Sequence, residues 1–233
     1  MKQNIEGLTI LFPVYNDKKT IELMVLKSLS LLKKYNFPSE ILIINDGCKF
    51  GSGEEADRLA KQYNNIRVIH NKFNQGYGAA IITGIKESKY EWILQTDGDN
   101  QYDINDFDQM KKILHNYDCI ITFRYKKIYE SHRIFISWVY NKIVQIIFKS
   151  RFRDISTGLR LIKKSCLKDI DLISSSSFIG AEIAIRLMLK GYQVGEMGIN
   201  TYPRIFGTSS ILTFKSIYST IKDLIRLKKL LFN

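Results

Sequence analysis

The feature that most constrains the fold is a short apolar run that ends in a polar or glycine-rich loop and is followed by helically spaced apolar residues. The pattern occurs four times, with apolar runs at residues 8–13, 41–44, 66–69 and 92–95, and a further run lies at 119–123. Short runs without polar alternation indicate strands that are buried on both faces, as in parallel sheets. The sequence therefore predicts an α/β fold, a mostly parallel sheet with helices on both faces.

The loop after the fourth run carries two carboxylates, Asp97 and Asp99, separated by Gly98. In parallel α/β sheets ligands bind beyond the carboxyl ends of the strands, which is where this loop is expected. Neighbouring carboxylates repel each other unless a cation joins them, and their oxygens, together with Gln101 or water, suit Mg²⁺ or Mn²⁺. We predict a divalent metal site at Asp97, Asp99 and Gln101.

Two other interpretations of these loops fit less well. A calcium-binding EF-hand loop requires glycine at its sixth position, where this chain has Tyr102, and a helix rather than a strand before it. A dinucleotide-binding fingerprint at residues 76–81 lacks its third glycine and follows the third strand instead of the first.

Six loop motifs in a fixed order narrow the class of protein. They are residues 12–17 (FPVYND), 44–47 (INDG), 74–80 (NQGYGAA), 97–101 (DGDNQ), 154–160 (DISTGLR) and 204–209 (RIFGTS). Together they resemble the motifs of family 2 glycosyltransferases with the GT-A fold, and within that family those of polyprenyl-phosphate sugar synthases such as the dolichyl-phosphate mannose synthases. The resemblance covers residues 8–210 and implies a Rossmann-like GT-A domain that transfers a hexose with inversion.

The resemblance also implies roles for residues in these motifs. The residues of the nucleotide-sugar pocket would be Pro13, Tyr15, Asp17, Asp46, Gly76, Gly78 and Asp97. Asp99 and Gln101 would hold the metal, and Arg204 would stabilise the leaving diphosphate. Aspartate at position 17 and asparagine at position 45 replace the glutamate and aspartate that are usual in the family, so the choice between a UDP-sugar and a GDP-sugar stays open.

A general base for a sugar acceptor is missing from its usual place. A neutral hydroxyl needs such a base, and relatives that use sugar acceptors carry it in a Glu-Asp pair shortly before an arginine. If Arg186 is that arginine, the pair falls on Gly180 and Ala181, with Glu182 one place out of register. Transfer to a saccharide hydroxyl, as in the synthesis of a surface polysaccharide, would need Glu182 as the base.

A phosphate acceptor is already ionised and needs cations to position it rather than a base. Arg124, Arg133 and Ser137 resemble the acceptor-phosphate site of the polyprenyl-phosphate synthases. The main hypothesis is therefore transfer to a polyprenyl phosphate, with Arg124, Arg133, Asp99 and Arg204 as the catalytic residues.

The positive charge of the chain is confined to its second half. Residues 1–123 hold 15 Lys and Arg against 16 Asp and Glu, whereas residues 124–233 hold 20 against 7, for a net charge of +12. Such a surplus is compatible with a solvated basic face, or with phosphorylated substrates, anionic lipid or nucleic acid as partners. Nucleic acid would explain the charge but not the two carboxylates of the fourth loop, so it is only a remote alternative.

We assign residues 1–210 to the catalytic domain and residues 211–233 to an amphipathic basic helix. Its apolar side carries Phe214, Ile217, Ile221, Leu224, Ile225 and Leu231, and its basic side carries Lys215, Lys222, Arg226 and Lys229. Such a helix can lie in the interface of an anionic membrane. Packing on the domain, or on a second subunit of a homo-oligomer, is the other interpretation.

The expected location is the cytoplasmic face of the cell membrane, with peripheral attachment. No apolar run reaches the roughly 18 residues of a membrane-spanning helix. The N-terminus lacks the order of a signal peptide, and three widely spaced cysteines indicate buried thiols in a reducing compartment. The apolar stretch 134–148 is compatible with a second membrane-facing surface or with a core helix.

Overall fold

One seven-stranded sheet organises the chain, of which the computed structural model describes residues 5–128, 131–204 and 213–232. The strands are β1 (Leu8–Val14), β2 (Ser39–Asn45), β3 (Ile66–His70), β4 (Trp92–Gln95), β5 (Cys119–Arg124), β6 (Arg160–Lys163) and β7 (Val194–Ile199). Their order across the sheet is β3-β2-β1-β4-β6-β5-β7, and all of them run in one direction except β6. The prediction of a mostly parallel sheet is confirmed.

Helices cover both faces of this sheet. They are α1 (Lys18–Leu32), α2 (Ser52–Gln62), α3 (Tyr77–Glu87), α4 (Phe107–Ile113), α5 (Ser131–Phe148), α6 (Ile179–Leu189) and α7 (Phe214–Phe232). One apolar core lies between the sheet and helices α1, α2 and α4, and the other lies between the sheet and helices α3, α5, α6 and α7. Because both faces are covered, β1, β2 and β4 are buried along nearly their whole length, which explains their unalternating apolar sequences.

The strand register brings the motif loops to one edge. Val14 pairs with Asn45, and Asn45 pairs with His70, so β1, β2 and β3 end level with one another. β6 is antiparallel to β4, and its first residue, Arg160, pairs with Gln95 at the end of β4. The segment that precedes β6 therefore reaches the same edge as the loops that follow the parallel strands.

Helix α7 packs on the domain through one stripe and exposes another. Leu224 and Leu227 are buried in the core on the α6 side of the sheet, and the rings of Phe148 and Phe232 lie 6.1 Å apart. Phe214 is 94% exposed. The other exposed apolar residues of the helix include Ile217, Tyr218, Ile221 and Ile225. The buried stripe of α7 packs on the domain, whereas the exposed stripe remains available for contact with a membrane or a second subunit.

Helix α5 also exposes apolar side chains. Val144 and Phe148 are buried, whereas the exposed residues are Ile134, Phe135, Ile136, Trp138, Ile143 and Ile146. Among the described residues, no helix is both long enough and apolar enough to cross a membrane. The three cysteines are free and buried, as the sequence indicates.

Candidate functional site

The turn after β4 places two carboxylates at the sheet edge. Thr20, in α1, donates its hydroxyl to the carbonyl of Gly98 at 2.7 Å. A side chain at position 98 would meet the carbonyl oxygen of Pro13 at 3.0 Å, so glycine lets the turn lie directly on the end of β1. Pro13 is buried beneath this turn. Asp97 and Asp99 therefore stand on a turn that is held by two neighbouring elements.

Asp99 is bound by an arginine from a distant part of the chain. Arg204 Nη2 lies 2.6 Å from Asp99 Oδ2, and the backbone N–H of Gln101 donates to Asp99 Oδ1 at 3.1 Å. Arg204 reaches this position because Tyr202 N–H donates to the carbonyl of Gln101, alongside a bridge between Tyr102 and Thr201. A cavity of ≈ 460 Å³ adjoins Arg204. The remaining residues of the 204–209 motif lie outside the described residues.

The donor set fits a divalent cation. Burial and, to a lesser extent, the nearby charge of Asp99 together raise the pKa of Asp97 to about 6, so ionising both carboxylates is unfavourable unless positive charge lies beside them. Arg204 supplies such a charge to Asp99. Within the described parts of the chain, His, Cys, Asp and Glu side chains do not gather in threes as a metal site. A cation at this turn would thus have only two carboxylates from the described residues, Asp97 and Asp99, and would take its other oxygens from Gln101, a diphosphate or water.

Asp46 binds the glycine turn that opens α3. Its Oδ1 accepts hydrogen bonds from Asn71 Nδ2 at 2.9 Å and from Gln75 N–H at 3.0 Å, and its Oδ2 accepts one from Gly76 N–H at 2.9 Å. The carboxylate is 3% exposed. In this structure Asp46 fixes the turn, and contact with a base or ribose stays a prediction.

The two glycines of that turn make room for a loop of the protein itself. Gly76 has a φ of 99°, and a side chain there would meet the carbonyl oxygen of Ser175 at 2.5 Å. A side chain at Gly78 would meet the carbonyl oxygen of Ser174 at 2.3 Å. The close approach that the sequence led us to expect with the donor is thus seen with residues 174–176.

Tyr77, between these glycines, links the turn to the carboxylates. Its hydroxyl donates to Asp97 Oδ1 at 2.6 Å, and Gln95 Nε2 donates to the Tyr77 hydroxyl at 3.2 Å. A side chain at Gly158 would collide with the carboxylate of Asp97, 2.2 Å from Oδ2, which explains the glycine in the 154–160 motif. The sequence showed Tyr77 inside a motif, but only the contact with Asp97 gives it a role.

Tyr15 and Asp17 lie next to the turn formed by residues 97–99, called the carboxylate turn below, on its α1 side. Asp17 Oδ2 accepts a hydrogen bond from the backbone N–H of Tyr15 at 3.0 Å. Burial raises the pKa of Asp17, the Tyr15 N–H and the charge of Arg204 lower it, and Asp99 raises it, with a net rise. The Tyr15 side chain is 45% exposed. The structure thus brings Asp17, Asp97, Asp99 and Arg204 into one electrostatic group with Tyr15 at its rim.

A second, cationic group lies around Asp154. Arg124 forms a bidentate pair with it, with Nε 2.7 Å from Oδ2 and Nη2 3.0 Å from Oδ1. Lys127 Nζ lies 3.6 Å from Oδ2 and donates to Ser137 Oγ at 2.7 Å. Burial alone would raise the pKa of Asp154, but the hydrogen bonds and charges of Arg124 and Lys127 lower it on balance.

The structure brings together two of the three predicted acceptor residues. Arg124 and Ser137 meet through Lys127 and Asp154, and Arg133 is in the first turn of α5, four residues before Ser137 and partly exposed. Lys127 was missed in the sequence because a lysine after Lys126 resembles an ordinary surface charge. Desolvation lowers its pKa, as does the charge of Arg124, although Asp154 opposes the change.

Glu182, the carboxylate nearest to the expected base positions, is fully buried. Its two oxygens accept hydrogen bonds from the backbone N–H groups of Ile173 and Ser174, and Arg186 Nε lies 2.8 Å from Oε1. The carboxylate therefore holds the chain before α6 and pairs with an arginine of the same helix.

A comparison with models of protein families identifies the family of this chain. Residues 9–171 match the model for glycosyl transferase family 2, which is more than half of the chain. The chain belongs to glycosyl transferase family 2. The predicted enzyme class is thereby confirmed.

Curated relatives match this glycosyltransferase over different shares of their length. An uncharacterised protein of Methanocaldococcus jannaschii is 29% identical over 229 residues, which cover 93% of this chain and 96% of the relative. A dolichyl-phosphate β-glucosyltransferase of Trichomonas vaginalis is 34% identical over 110 residues, 45% of this chain. The match spans only 34% of that transferase, and a second dolichyl-phosphate β-glucosyltransferase of the same organism is matched over 36% of its length.

Solved structures share the fold of this glycosyltransferase at low identity. Mannosyl-3-phosphoglycerate synthase from Rubrobacter xylanophilus superposes with a TM-score of 0.74 at 11% identity, over 96% of this chain and 74% of that one. Glucosyl-3-phosphoglycerate synthase from Mycobacterium tuberculosis, in complex with Mn²⁺ and UDP-glucose, gives a TM-score of 0.71 at 12% identity, over 96% and 79% of the two chains. These likenesses show the GT-A fold.

Proposed function

We propose that this glycosyltransferase moves a hexose, with inversion, from a UDP- or GDP-sugar to a polyprenyl phosphate at the cytoplasmic face of a membrane. The observation that carries the proposal is the contrast between the two acceptor interpretations. The carboxylate that a sugar hydroxyl would need, Glu182, is buried and engaged, whereas the cations that a phosphate would need meet around Ser137.

The donor side rests on the carboxylate turn. Tyr15 and Asp17 would contact the nucleoside, and Asp46 would keep the Gly76–Gly78 turn in place beside the donor. A divalent cation bound by Asp97, Asp99 and Gln101 would neutralise the diphosphate and make it a better leaving group.

Arg204 is the protein's own cation at the leaving group. Its guanidinium lies on Asp99, 2.6 Å from Oδ2, beside the carboxylates that would hold the metal of the diphosphate. Guanidinium groups bind phosphate oxygens in a bidentate manner. As negative charge develops on the departing nucleoside diphosphate, Arg204 would stabilise it.

The acceptor side rests on the cluster of Arg124, Lys127, Ser137 and Asp154. Arg124 and Lys127 share a single buried carboxylate, so these three side chains together carry one excess positive charge, and Arg133 lies in the first turn of the next helix. An ionised phosphate needs no base, and its oxygen can attack the anomeric carbon directly once cations have fixed its position. The partial likeness to dolichyl-phosphate β-glucosyltransferases points to the same acceptor class.

The membrane side rests on helices α5 and α7. Each packs on the core through a few residues and leaves large apolar side chains exposed, among them Phe135, Trp138, Ile146 and Phe214. Apolar side chains next to Lys and Arg are typical of helices that lie in an anionic lipid interface. A polyprenyl chain extends from its phosphate into the bilayer, so an acceptor cluster that includes Ser137 of α5 would be near the lipid surface.

Steady-state kinetics of Arg133→Ala test the acceptor. With a short-chain polyprenyl phosphate, loss of one charge-assisted hydrogen bond should raise the acceptor KM or lower kcat by roughly ten- to a hundredfold, while the donor KM stays the same. Lys127→Met should act in the same direction.

The matched control is Lys142→Ala, which removes an exposed cation from the same helix without touching the cluster. It should leave the kinetics unchanged. Normal acceptor kinetics in both Arg133→Ala and Lys127→Met, or efficient transfer to a neutral saccharide without any polyprenyl phosphate, would show that the acceptor is not a lipid phosphate.

A further inference from the structure

A serine-rich loop, residues 173–178, lies against the glycine turn of the donor site. Gly78 N–H donates to the carbonyl of Ser175 at 2.9 Å. Side chains at Gly76 or Gly78 would collide with carbonyl oxygens of this loop, so the two segments are in backbone contact. The position of the turn therefore depends on the position of the serine-rich loop.

Two buried carboxylates hold the serine-rich loop from outside the donor site. Glu182, at the start of α6, accepts hydrogen bonds from the N–H groups of Ile173 and Ser174. Asp223, in the middle of α7, accepts one from Ser176 N–H at 2.9 Å. Glu182 is only nine residues from Ile173 in the sequence. Asp223 belongs to the C-terminal helix and is 47 residues from Ser176.

Asp223 is an unusual residue for the packed stripe of α7. It is 5% exposed and lies beside Leu224 and Leu227, which are buried in the apolar core. A carboxylate in such a place is unfavourable unless its oxygens accept hydrogen bonds, whereas an apolar residue would pack there at no such cost. The Ser176 N–H satisfies this requirement, and the hydroxyls of Ser177 and Thr220 lie 3.3 Å apart next to it.

The contacts continue from the turn to the carboxylates of the proposed metal site. Tyr77 lies between Gly76 and Gly78, and its hydroxyl donates to Asp97 Oδ1 at 2.6 Å. A shift of the serine-rich loop would move Gly78 first, then Tyr77, and then the hydrogen bond that orients Asp97.

We propose that Asp223 is a positioning residue of the donor site: by holding Ser176 N–H it keeps the serine-rich loop on the Gly76–Gly78 turn and the Tyr77 hydroxyl on Asp97. The inference rests on the proposed function, in which this turn and Asp97 bind the nucleotide sugar. Helix α7 would then support the donor site as well as being a candidate membrane contact. Asp223 would couple nucleotide-sugar binding to membrane binding.

Asp223→Ala tests the inference, with Asp223→Asn as a milder variant that keeps the shape of the side chain. Without ligand, amide hydrogen exchange of residues 75–79 should become roughly tenfold faster, which corresponds to loss of one hydrogen bond to a charged group. With Mn²⁺, the Kd for UDP or GDP, whichever the wild type binds, should rise about fivefold or more, while the acceptor KM is unchanged.

The matched control is Leu227→Ala, which removes buried packing one turn further along α7 but leaves the hydrogen bond between Ser176 N–H and Asp223 in place. It should lower Tm without the change in exchange at residues 75–79 or in nucleotide affinity. Equal changes in both variants would overturn the inference, because they would show a general loosening of α7.

A double-mutant cycle with Tyr77→Phe tests the route. If Asp223 acts through the Tyr77 hydroxyl, the effects of the two substitutions on nucleotide affinity should be less than additive. Full additivity would overturn the route. A wild-type protein that binds neither UDP nor GDP would refute the proposed function, and the exchange measurement on Asp223→Ala would still decide the coupling.

Discussion

Asp99 faces two cations, one present in the chain and one proposed. Arg204 lies 2.6 Å from its carboxylate, and a divalent metal would share it. Asp99→Asn should therefore abolish turnover and lower the affinity for UDP or GDP in Mn²⁺ by about tenfold or more, since it removes a charge from the metal. Isothermal titration with and without Mn²⁺ measures this effect.

The matched control for Asp99→Asn is Asp103→Asn. Asp103 lies four residues on and uses its carboxylate to cap the next helical turn, where it accepts a hydrogen bond from Asn105 N–H. It should keep Mn²⁺-dependent nucleotide binding. Unchanged turnover in Asp99→Asn protein would reject the metal assignment.

Asp97 gives the site a pH dependence. Burial and the charge of Asp99 raise its pKa from 3.8 to about 6. The fold thus favours the neutral acid, and this stabilising contribution is complete below pH 3.8 and is lost as the pH rises through about 6. A metal requires the ionised form, so Mn²⁺ affinity should fall steeply as the pH is lowered from 7 to 5.

Titration of Mn²⁺ by electron paramagnetic resonance across this pH range checks the prediction. Asp97→Asn is the reference, because it should bind Mn²⁺ weakly and with little dependence on pH in the same range. Affinity in the wild type that does not change between pH 5 and 7 would show that Asp97 is not a ligand.

At the level of single residues, the sequence predicted where the polar side chains lie but not what they touch. Asp46, Asp97 and Asp99 each follow a buried strand, and this local pattern was enough to place them at one sheet edge. The partners of Asp46 and Gly76 come from elsewhere in the chain: Asp46 is bound by residues 25 to 30 positions further on, and Gly76 meets the serine-rich loop about 100 residues away, so no local signal in the sequence indicates these contacts.

Among the elements, β6 and α7 show what the pattern could not reveal. The four residues of β6 include the buried Arg160, so the run does not look like a strand, and its antiparallel direction comes from pairing with β4 and β5. The amphipathic pattern of α7 could be recognised in the sequence. Only the packing of Leu224 and Leu227 shows that part of its apolar side is used by the domain.

The exposed stripe of α7 can be tested apart from the packed one. Ile221 is 51% exposed, so Ile221→Ser should leave Tm nearly unchanged but weaken binding to anionic liposomes, and Phe214→Ser should add to the effect. Leu26→Ser is the control, since Leu26 is similarly exposed, at 46%, but lies on α1. Equal liposome sedimentation of the wild type and the Phe214→Ser, Ile221→Ser double variant would refute a role of this stripe at a membrane.

For the whole molecule, the division of charge between the two halves of the sequence matches the division of the proposed donor and acceptor sites. The carboxylates of the proposed donor site come from residues 1–123, where acidic and basic residues nearly balance. This half therefore has no surplus of positive charge with which to bind a diphosphate, and a metal ion would have to supply it. The cluster around Arg124 and Lys127, helix α5 and helix α7 come from the half that carries the positive surplus. Arg204 is the exception, because it brings a cation from the basic half to the acidic turn.

This arrangement predicts that donor binding stabilises the protein as a whole and depends on metal. A ligand at 100 times its Kd stabilises the native state by about 2.7 kcal/mol. For a domain of this size each 1 kcal/mol raises Tm by about 2–4 °C, so the preferred nucleotide with Mn²⁺ should raise Tm by about 5–11 °C. The same nucleotide with EDTA should give a much smaller shift, because the charges of Asp97, Asp99 and the diphosphate would then repel one another.

Comparing UDP with GDP identifies the donor base, and Asp99→Asn protein should show no difference between Mn²⁺ and EDTA. An equal shift with EDTA in the wild type would mean that Arg204 alone neutralises the diphosphate and that the enzyme binds its donor without a metal.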